Sequence, residues 1–213
     1  MYIHSVNIGL PQKVEWRGDI VTTGIFKYAT DSAVKVREFN MEGDGQADLK
    51  NHGGENKAIY AYAAEHYQYW NSLRQEEIEP GSFGENLTTQ GLLDSEVCIG
   101  DQFLIGTAVL MAVQPRIPCF KLGIRFNDIK VVRQFFEARR NGIYFKIIKE
   151  GVLQKGDAIS LWKRSDYDIT VQDVVDNYTL KEKDLEKVRS IIEIPFLPKR
   201  MKLEFIDILS SEF

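Results

Sequence analysis

Over the first fifty residues, apolar and polar positions alternate in short runs between turn residues, the signature of half-buried strands. Val14-Glu15-Trp16 leads into an Arg17-Gly18-Asp19 turn and on to Ile20-Val21-Thr22-Thr23, and the stretch from Ala33 to Phe39 alternates again. Glycines at 43, 45, 53 and 54 mark residues 42–56 as a loop whose backbone can approach another group closely. From Asn56 to Leu73 the period lengthens. Ile59, Tyr60, Ala63, Ala64, Tyr67 and Trp70 recur at three- and four-residue spacings and predict one apolar face of a helix. Pro80, Gly81 and Gly84 form a loop, after which Val97–Ile99, Gln102–Ile105 and Ala108–Val113 read as strands. The last of these is long, apolar and β-prone, which places it centrally in a sheet until Pro115 and Pro118 end it, since proline cannot donate to a ladder.

Residues 129–140 are patterned as a helix, and Tyr144–Ile148 and Ala158–Trp162 as strands with turns at Gly151 and Gly156-Asp157. Beyond Ser165 the period is helical to the end. Thr170 caps a helix over Val171–Tyr178, Thr179 precedes a second over Leu180–Ile192, and Lys199–Leu209 forms a third after Pro195 and Pro198. The organisation is therefore a strand-rich body over 1–164 and a helical tail over 165–213.

Charge and composition narrow the function classes. The 213 residues allow one or two domains at the usual ~150 residues each, with enough chain for a real core. The tail holds seven basic and eleven acidic residues, the body twenty of each, so the tail carries the whole net charge of −4. That balance weighs against a nucleic-acid polymer as partner, which needs a basic footprint, but is compatible with one internal anion site. Met1–Ser5 lacks the basic-then-apolar pattern of a signal peptide, and no apolar run approaches the ~18–20 residues of a membrane span. A cytoplasmic location is expected, with no membrane partner and with Cys98 and Cys119 as free thiols.

No Walker loop, G-x-G-x-x-G, H-E-x-x-H or C-x-x-C is present, and three histidines with two cysteines are few for a zinc cluster. Asp44-x-Gln46-x-Asp48 with Glu55 has calcium-loop spacing, but Leu49 stands where that loop needs glycine. Cys119 draws more interest. Pro115 and Pro118 stiffen the backbone before it, and Arg116 supplies a cation three residues away. A thiolate beside a cation suits a soft-metal ligand or a nucleophile, while the structural alternative is a small buried hydrophobe. Cys98, inside an apolar run, reads as core. His52-Gly53-Gly54 offers backbone N–H groups and an imidazole to an anion, or is simply a tight turn with a solvated histidine. His4 and His66 read as structural, and the Tyr60/Tyr67/Trp70 stripe as packing. Thr22, Thr23 and Lys27 around Gly24, and Glu85-Asn86-Leu87-Thr88 after Gly84, are further polar clusters of low specificity.

As a set, these segments resemble the MOSC family (molybdenum-cofactor sulfurase C-terminal domain) and within it the stand-alone YiiM-like bacterial branch. The resemblance rests on Asp48-Leu49-Lys50-Asn51-His52-Gly53-Gly54 running into Lys57-Ala58-Ile59-Tyr60, on Gly81-Ser82-Phe83-Gly84-Glu85-Asn86-Leu87-Thr88-Thr89, on Ile99-Gly100-Asp101, and on Gln114-Pro115-Arg116-x-Pro118-Cys119. Trp16-Arg17-Gly18 and Thr22-Thr23-Gly24-Ile25-Phe26-Lys27 fit as well, so the motifs span about residues 5–162 in order. The resemblance implies a mixed α+β fold dominated by β, with a MOSC-type β-barrel-like domain over 1–164 and a three-helix extension over 165–213. It implies a molybdenum cofactor of the molybdopterin type, with Cys119 as metal ligand and Arg116, His52, Lys27, Thr23 and Asn86 as cofactor or phosphate contacts. Pyridoxal phosphate binding is a further association of the family, and phosphate or sulfate is expected in the pocket when the cofactor is missing.

The implied activity is reduction of N-hydroxylated compounds such as 6-N-hydroxylaminopurine-type bases, a detoxification. Cys119 and His52 would be catalytic, with the proton donor left open between His52 and a cofactor-bound water. Since the motifs include no flavin or iron–sulfur site, electrons are expected from a separate reductase. The rival readings are a cofactor or sulfur carrier, with a persulfide on Cys119, and a non-catalytic phosphate- or nucleotide-binding module. For the tail the options are a lid over the pocket, a docking surface for the reductase, or a homodimer contact.

Overall fold

The computed structural model describes residues 1–48 and 53–211. Thirteen strands and six α-helices follow one another along those residues. The first six strands are β1 (Tyr2–Ile8), β2 (Gln12–Trp16), β3 (Asp19–Thr23), β4 (Tyr28–Thr30), β5 (Val34–Arg37) and β6 (Asn40–Met41). The hairpin of β2 and β3 turns through Arg17 and Gly18, both at positive φ (55° and 89°), where glycine spares the second position a steric clash. A 3₁₀ turn over Glu55–Lys57 then enters β7 (Ile59–Ala63), α1 (Ala64–Arg74) and β8 (Leu87–Gln90). Next come β9 (Gln102–Ile105), β10 (Ala108–Pro115), α2 (Phe120–Phe126), α3 (Lys130–Ala138), β11 (Ile143–Lys149), β12 (Gly151–Leu153) and β13 (Ile159–Lys163). The tail supplies α4 (Val171–Thr179), α5 (Leu185–Glu193) and α6 (Lys199–Ser211).

Eight strands form one sheet in the order β13-β9-β10-β11-β7-β8-β1-β4, beside a three-stranded and a two-stranded sheet. Within it, β7 and β8 run parallel, as their connection through α1 requires, while the other pairs are antiparallel. The expected barrel is not closed. Residues 156–159 approach the start of β1 through one isolated bridge, Tyr2 with Ala158, and through backbone bonds such as Ile3 N to Asp157 O at 2.9 Å. The rest of that strand's free side is taken by β4, which pairs with Val6, Asn7 and Ile8, so no continuous ladder joins the two ends. The architecture is a mixed α/β fold around a large open sheet.

Four further departures from the sequence pattern have local causes. Ile59–Ala63 is a strand, not the first turns of a helix. All five residues are buried, because β11 and β8 flank the strand and both its faces are covered, and a fully buried run carries no period-2 signal. Val97–Ile99 is not a strand of a sheet: Cys98 makes one isolated antiparallel bridge to Thr170, and the chain then turns where Asp101 Oδ2 accepts the Cys98 N–H at 2.9 Å. The second tail helix starts at Leu185 rather than Leu180, because Asp184 caps it by accepting the N–H groups of Glu186 and Lys187. The short helix α2, with Cys119 as its N-cap residue, has no counterpart in the sequence pattern.

The tail is built into the main core. Val174, Val188, Ile191, Met201 and Phe205 share one apolar cluster with Ile3, Leu110 and Phe145 of the sheet. The first tail helix begins at Thr170 with a capping box, Thr170 and Asp173 satisfying each other's backbone N–H. A second, aromatic cluster of Tyr60, Tyr62, Tyr67, Trp70, Phe83 and Phe135 gathers residues of β7, α1, α3 and the loop before β8, and Tyr60 carries it to the wall of the site described next.

Candidate functional site

The end of β10 and the start of α2 carry Arg116 and Cys119 to one wall of an internal hollow of about 90 Å³. Strand pairing supplies the facing wall: Tyr144 of β11 lies opposite Tyr60 of β7, and both rings reach the hollow. Thr23, Lys27 and Asn86 also line it, so the structure brings together five of the six site residues expected from sequence. The sixth, His52, lies outside the described residues.

The five differ in what their polar atoms do. Thr23 Oγ1 accepts the Ile25 N–H at 3.2 Å and shapes the turn that presents Gly24. Asn86 accepts from Tyr60 N at 3.1 Å and donates to Asp44 Oδ2 at 3.0 Å, which ties β7 to the glycine loop. Lys27 is paired with Asp44, the two side chains 6% and 2% exposed. Burial lowers the Lys27 pKa, against the pull of Asp44. Arg116 is different: it is 5% exposed, its Nη1 has no hydrogen-bond partner, and among the described residues it forms no ion pair with a carboxylate. Its guanidinium lies over the faces of Tyr60 and Phe135, at 5.3 and 5.1 Å from the ring centroids. Burial works against its charge, but the surrounding Tyr60, Tyr144 and Cys119 outweigh it and hold the guanidinium above its usual pKa.

Lys57, Lys121 and Tyr144 were not anticipated. Lys57 stands at the end of the 3₁₀ turn and Lys121 in the first turn of α2, and both face the hollow. Burial and the charge of Arg200 lower the Lys57 pKa, while Cys119, Asp48 and Glu204 oppose that shift. Burial also raises the phenol pKa values of Tyr60 and Tyr144, so both rings stay neutral hydrogen-bonding groups at neutral pH. The sequence signals for Lys57 are its place in the family motif Lys57-Ala58-Ile59-Tyr60 and a charge set just before a wholly apolar run. For Tyr144 there was none short of the strand register.

Glu85, beside Asn86, is buried and faces away from the hollow. Its carboxylate accepts from Gly81 N at 2.8 Å, Phe83 N at 3.1 Å and Thr88 Oγ1 at 2.8 Å, and from the Tyr67 hydroxyl. It therefore organises the loop that presents Asn86.

The hollow is thus walled by Arg116, Lys57 and Lys121, by the Lys27–Asp44 pair, by one thiol and by neutral phenols. Around a buried guanidinium whose Nη1 has no partner, this composition is complementary to an anion. Among the described residues, no group of three or more His, Cys, Asp or Glu side chains could hold a bare metal ion. A metal at Cys119 has to arrive with most of its ligands, which a dithiolene-bearing cofactor does. At about 90 Å³ the hollow matches a phosphate-sized anionic end, not a whole pterin. No helix among the described residues is long and apolar enough to cross a membrane.

Comparison with known proteins agrees with this geometry. The MOSC domain profile matches residues 48–160. The uncharacterised protein YflK of Bacillus subtilis is 42% identical over 79% of this chain and 76% of its own length. Protein YiiM of Escherichia coli is 35% identical over 71% of this chain and 68% of its own. A protein of Gibberella moniliformis named "Reductase" is 36% identical over 69% of this chain, which corresponds to 27% of that longer protein. The crystal structure of YiiM from Geobacillus stearothermophilus superposes with a TM-score of 0.81 at 29% identity, covering 98% of both chains. On the profile match, the relatives and the shared fold, this chain belongs to the MOSC domain family and is YiiM-like within it.

Proposed function

We propose that the hollow at Cys119 receives the anionic end of a molybdenum cofactor, with Cys119 as the protein's ligand to the metal, and that the loaded chain reduces N-hydroxylated compounds. The observation that carries this reading is Arg116, a buried guanidinium with an unpartnered Nη1 in the wall of the hollow that also exposes Cys119. Leaving such a group without an anion costs roughly 1–3 kcal/mol, so a bound anionic ligand is what justifies its burial. The family is associated with molybdenum-cofactor binding, and the relative named as a reductase points to redox chemistry.

The cofactor supplies the two-electron chemistry. The chain's own residues do the rest. Arg116 and Lys121 bind the anionic end, and the Lys27–Asp44 pair, with Asn86 bonded to Asp44, fixes the shape of the loop beside it. The neutral phenols of Tyr60 and Tyr144 give hydrogen-bonding walls without adding charge. Lys57 holds a proton beside Cys119, its pKa brought down by burial and by Arg200, so it is a better acid than an exposed lysine. The overall change is R–NHOH plus two electrons and two protons to R–NH₂ and water, with the electrons delivered by a separate reductase.

The test is anaerobic turnover of 6-N-hydroxylaminopurine by molybdenum-loaded protein, with reduced methyl viologen as electron source. Adenine should form with consumption of two electrons per molecule, and Cys119→Ser should lower the rate at least a hundredfold. Loaded wild-type protein that oxidises no viologen on addition of the base would contradict the enzyme reading and leave a carrier.

A further inference from the structure

A second cavity, of about 420 Å³, lies where the start of α1, the segment after β8, the end of α3 and the tail helix α4 meet. It shares no lining residue with the hollow at Cys119. We propose that it binds a small zwitterion of the amino-acid class, its ammonium held by Glu65 and Asp94 and its carboxylate by Arg140. The proposal stands on this cavity alone and is independent of the reductase reading.

Six ionisable side chains line the cavity: Glu65, His66, Asp94, Arg139, Arg140 and Asp176. Two of them satisfy each other, since Arg139 Nη1 donates to Asp176 Oδ1 at 2.9 Å, and Gln172 donates to the same oxygen. The other four do not. Glu65 Oε2, Asp94 Oδ1, Arg140 Nε and both ring nitrogens of His66 are buried without a hydrogen-bond partner. Asp94 is 2% and His66 7% exposed. His66 Nε2 stands 3.6 Å from Asp94 Oδ2, too far for a hydrogen bond. Among the described residues, neither Glu65 nor Arg140 forms an ion pair.

The two carboxylates are set in the same way, one oxygen tied to a loop and the other open. Asp94 Oδ2 accepts the N–H groups of Asn141 at 3.1 Å and Gly142 at 2.9 Å. Glu65 Oε1 accepts the Gly91 N–H at 2.8 Å and the side-chain amide of Gln90. These bonds hold both groups in place, which is the support a preorganised site needs. Arg140 is held as well, its guanidinium 4.8 Å from the centroid of the Tyr69 ring.

The open atoms select the ligand. A simple anion would meet two carboxylates, and a simple amine would leave Arg140 Nε unmatched. Among the described residues, no three His, Cys, Asp or Glu side chains are arranged for a bare metal ion. A molecule with both poles meets every demand: N–H donors for the two carboxylate oxygens and a carboxylate for the guanidinium. His66 can bond to either pole, because an imidazole has a donor and an acceptor nitrogen. The volume falls within the ~300–1,000 Å³ of small-ligand sites, and Leu93 and Ala138 give an apolar side chain a surface to pack on.

The test is thermal unfolding of the protein with each standard L-amino acid in turn, then isothermal titration of the one that stabilises most. That amino acid should raise Tm by roughly 3–6 °C at ten times its Kd. Its decarboxylated amine and its deaminated acid should each bind at least tenfold more weakly, having lost one pole. Glu65→Gln and Asp94→Asn should also weaken binding at least tenfold. Both are isosteric, keep a carbonyl oxygen for the loop N–H groups and put an NH₂ where the open oxygen stood. A urea melt without ligand checks their folding, and Glu65→Gln, at a position in partial contact with solvent, carries the test if Asp94→Asn does not fold. Arg116→Met, whose change lies in the other hollow, should bind as the wild type does. No stabilisation by any amino acid would overturn the site, its open atoms being met by water alone. Equal binding of the amine would overturn the zwitterion. Affinity lost in Arg116→Met but kept in Glu65→Gln would put the ligand in the hollow and overturn the proposal as well.

Discussion

Exchanging Arg116 for methionine is expected to separate function from stability. Oxyanion binding, measured by titration of the apoprotein with inorganic phosphate, should weaken at least tenfold. A charge-assisted hydrogen bond contributes about 1.5–3 kcal/mol, and each 1.4 kcal/mol is a factor of ten. The apoprotein itself should unfold at the same or a higher urea concentration, with a gain of about 1 kcal/mol, because methionine fills the space without burying an unpaired donor. Part of that gain is offset by the loss of the guanidinium's contacts with the Tyr60 and Phe135 rings. Stabilised apoprotein with weakened phosphate binding would mark Arg116 as a residue kept for a ligand. A destabilised variant with phosphate affinity intact would make it a packing residue and remove the observation on which the function rests.

Lys27→Met should have the opposite effect on stability. It leaves Asp44, 2% exposed, as a buried carboxylate whose remaining donors are Gly9 N at 3.0 Å and Asn86 Nδ2 at 3.0 Å. Breaking a buried pair from one side costs about 3–5 kcal/mol, which for a chain of this length lowers Tm by roughly 6–20 °C. The double variant Lys27→Met/Asp44→Asn should recover most of this, since no uncompensated charge remains. The pH dependence has a defined sign. Burial holds the folded-state pKa of Lys27 below the 10.5 of the unfolded chain, so between those two values the unfolded state binds more protons and stability rises with pH. That rise should be missing in the single and the double variant. Urea midpoints across the alkaline range measure both effects, and equal losses in the single and double variants would show that the two groups are not coupled.

Much of this arrangement was legible before the fold. Cys119 and Arg116 stood out because two prolines fix the chain around them, and the hairpin of β2 and β3 and the cap at Thr170 followed from local turn and capping chemistry. What was hidden depended on partners far along the chain. Ile59–Ala63 continues into a true helix with no break in apolar spacing, and only burial between two neighbouring strands decides that it is extended. The Lys27–Asp44 pair joins residues seventeen apart across a glycine loop, with no periodic signal. Tyr144 enters the site through its register with Tyr60, which no local pattern carries. The barrel implied by family resemblance stops short because β4 occupies part of the strand face needed for closure.

The central claim is that Cys119 ligates a metal that arrives already carried by an anionic cofactor, and molybdenum content tests it most directly. Wild-type and Cys119→Ala proteins would be purified without oxygen from a host that makes the cofactor and analysed by elemental mass spectrometry. Close to one molybdenum per wild-type chain, and less than a tenth of that in the variant, is the predicted result. Equal molybdenum in the two proteins would contradict the account, because the metal would then be held without the thiol on which the site is built.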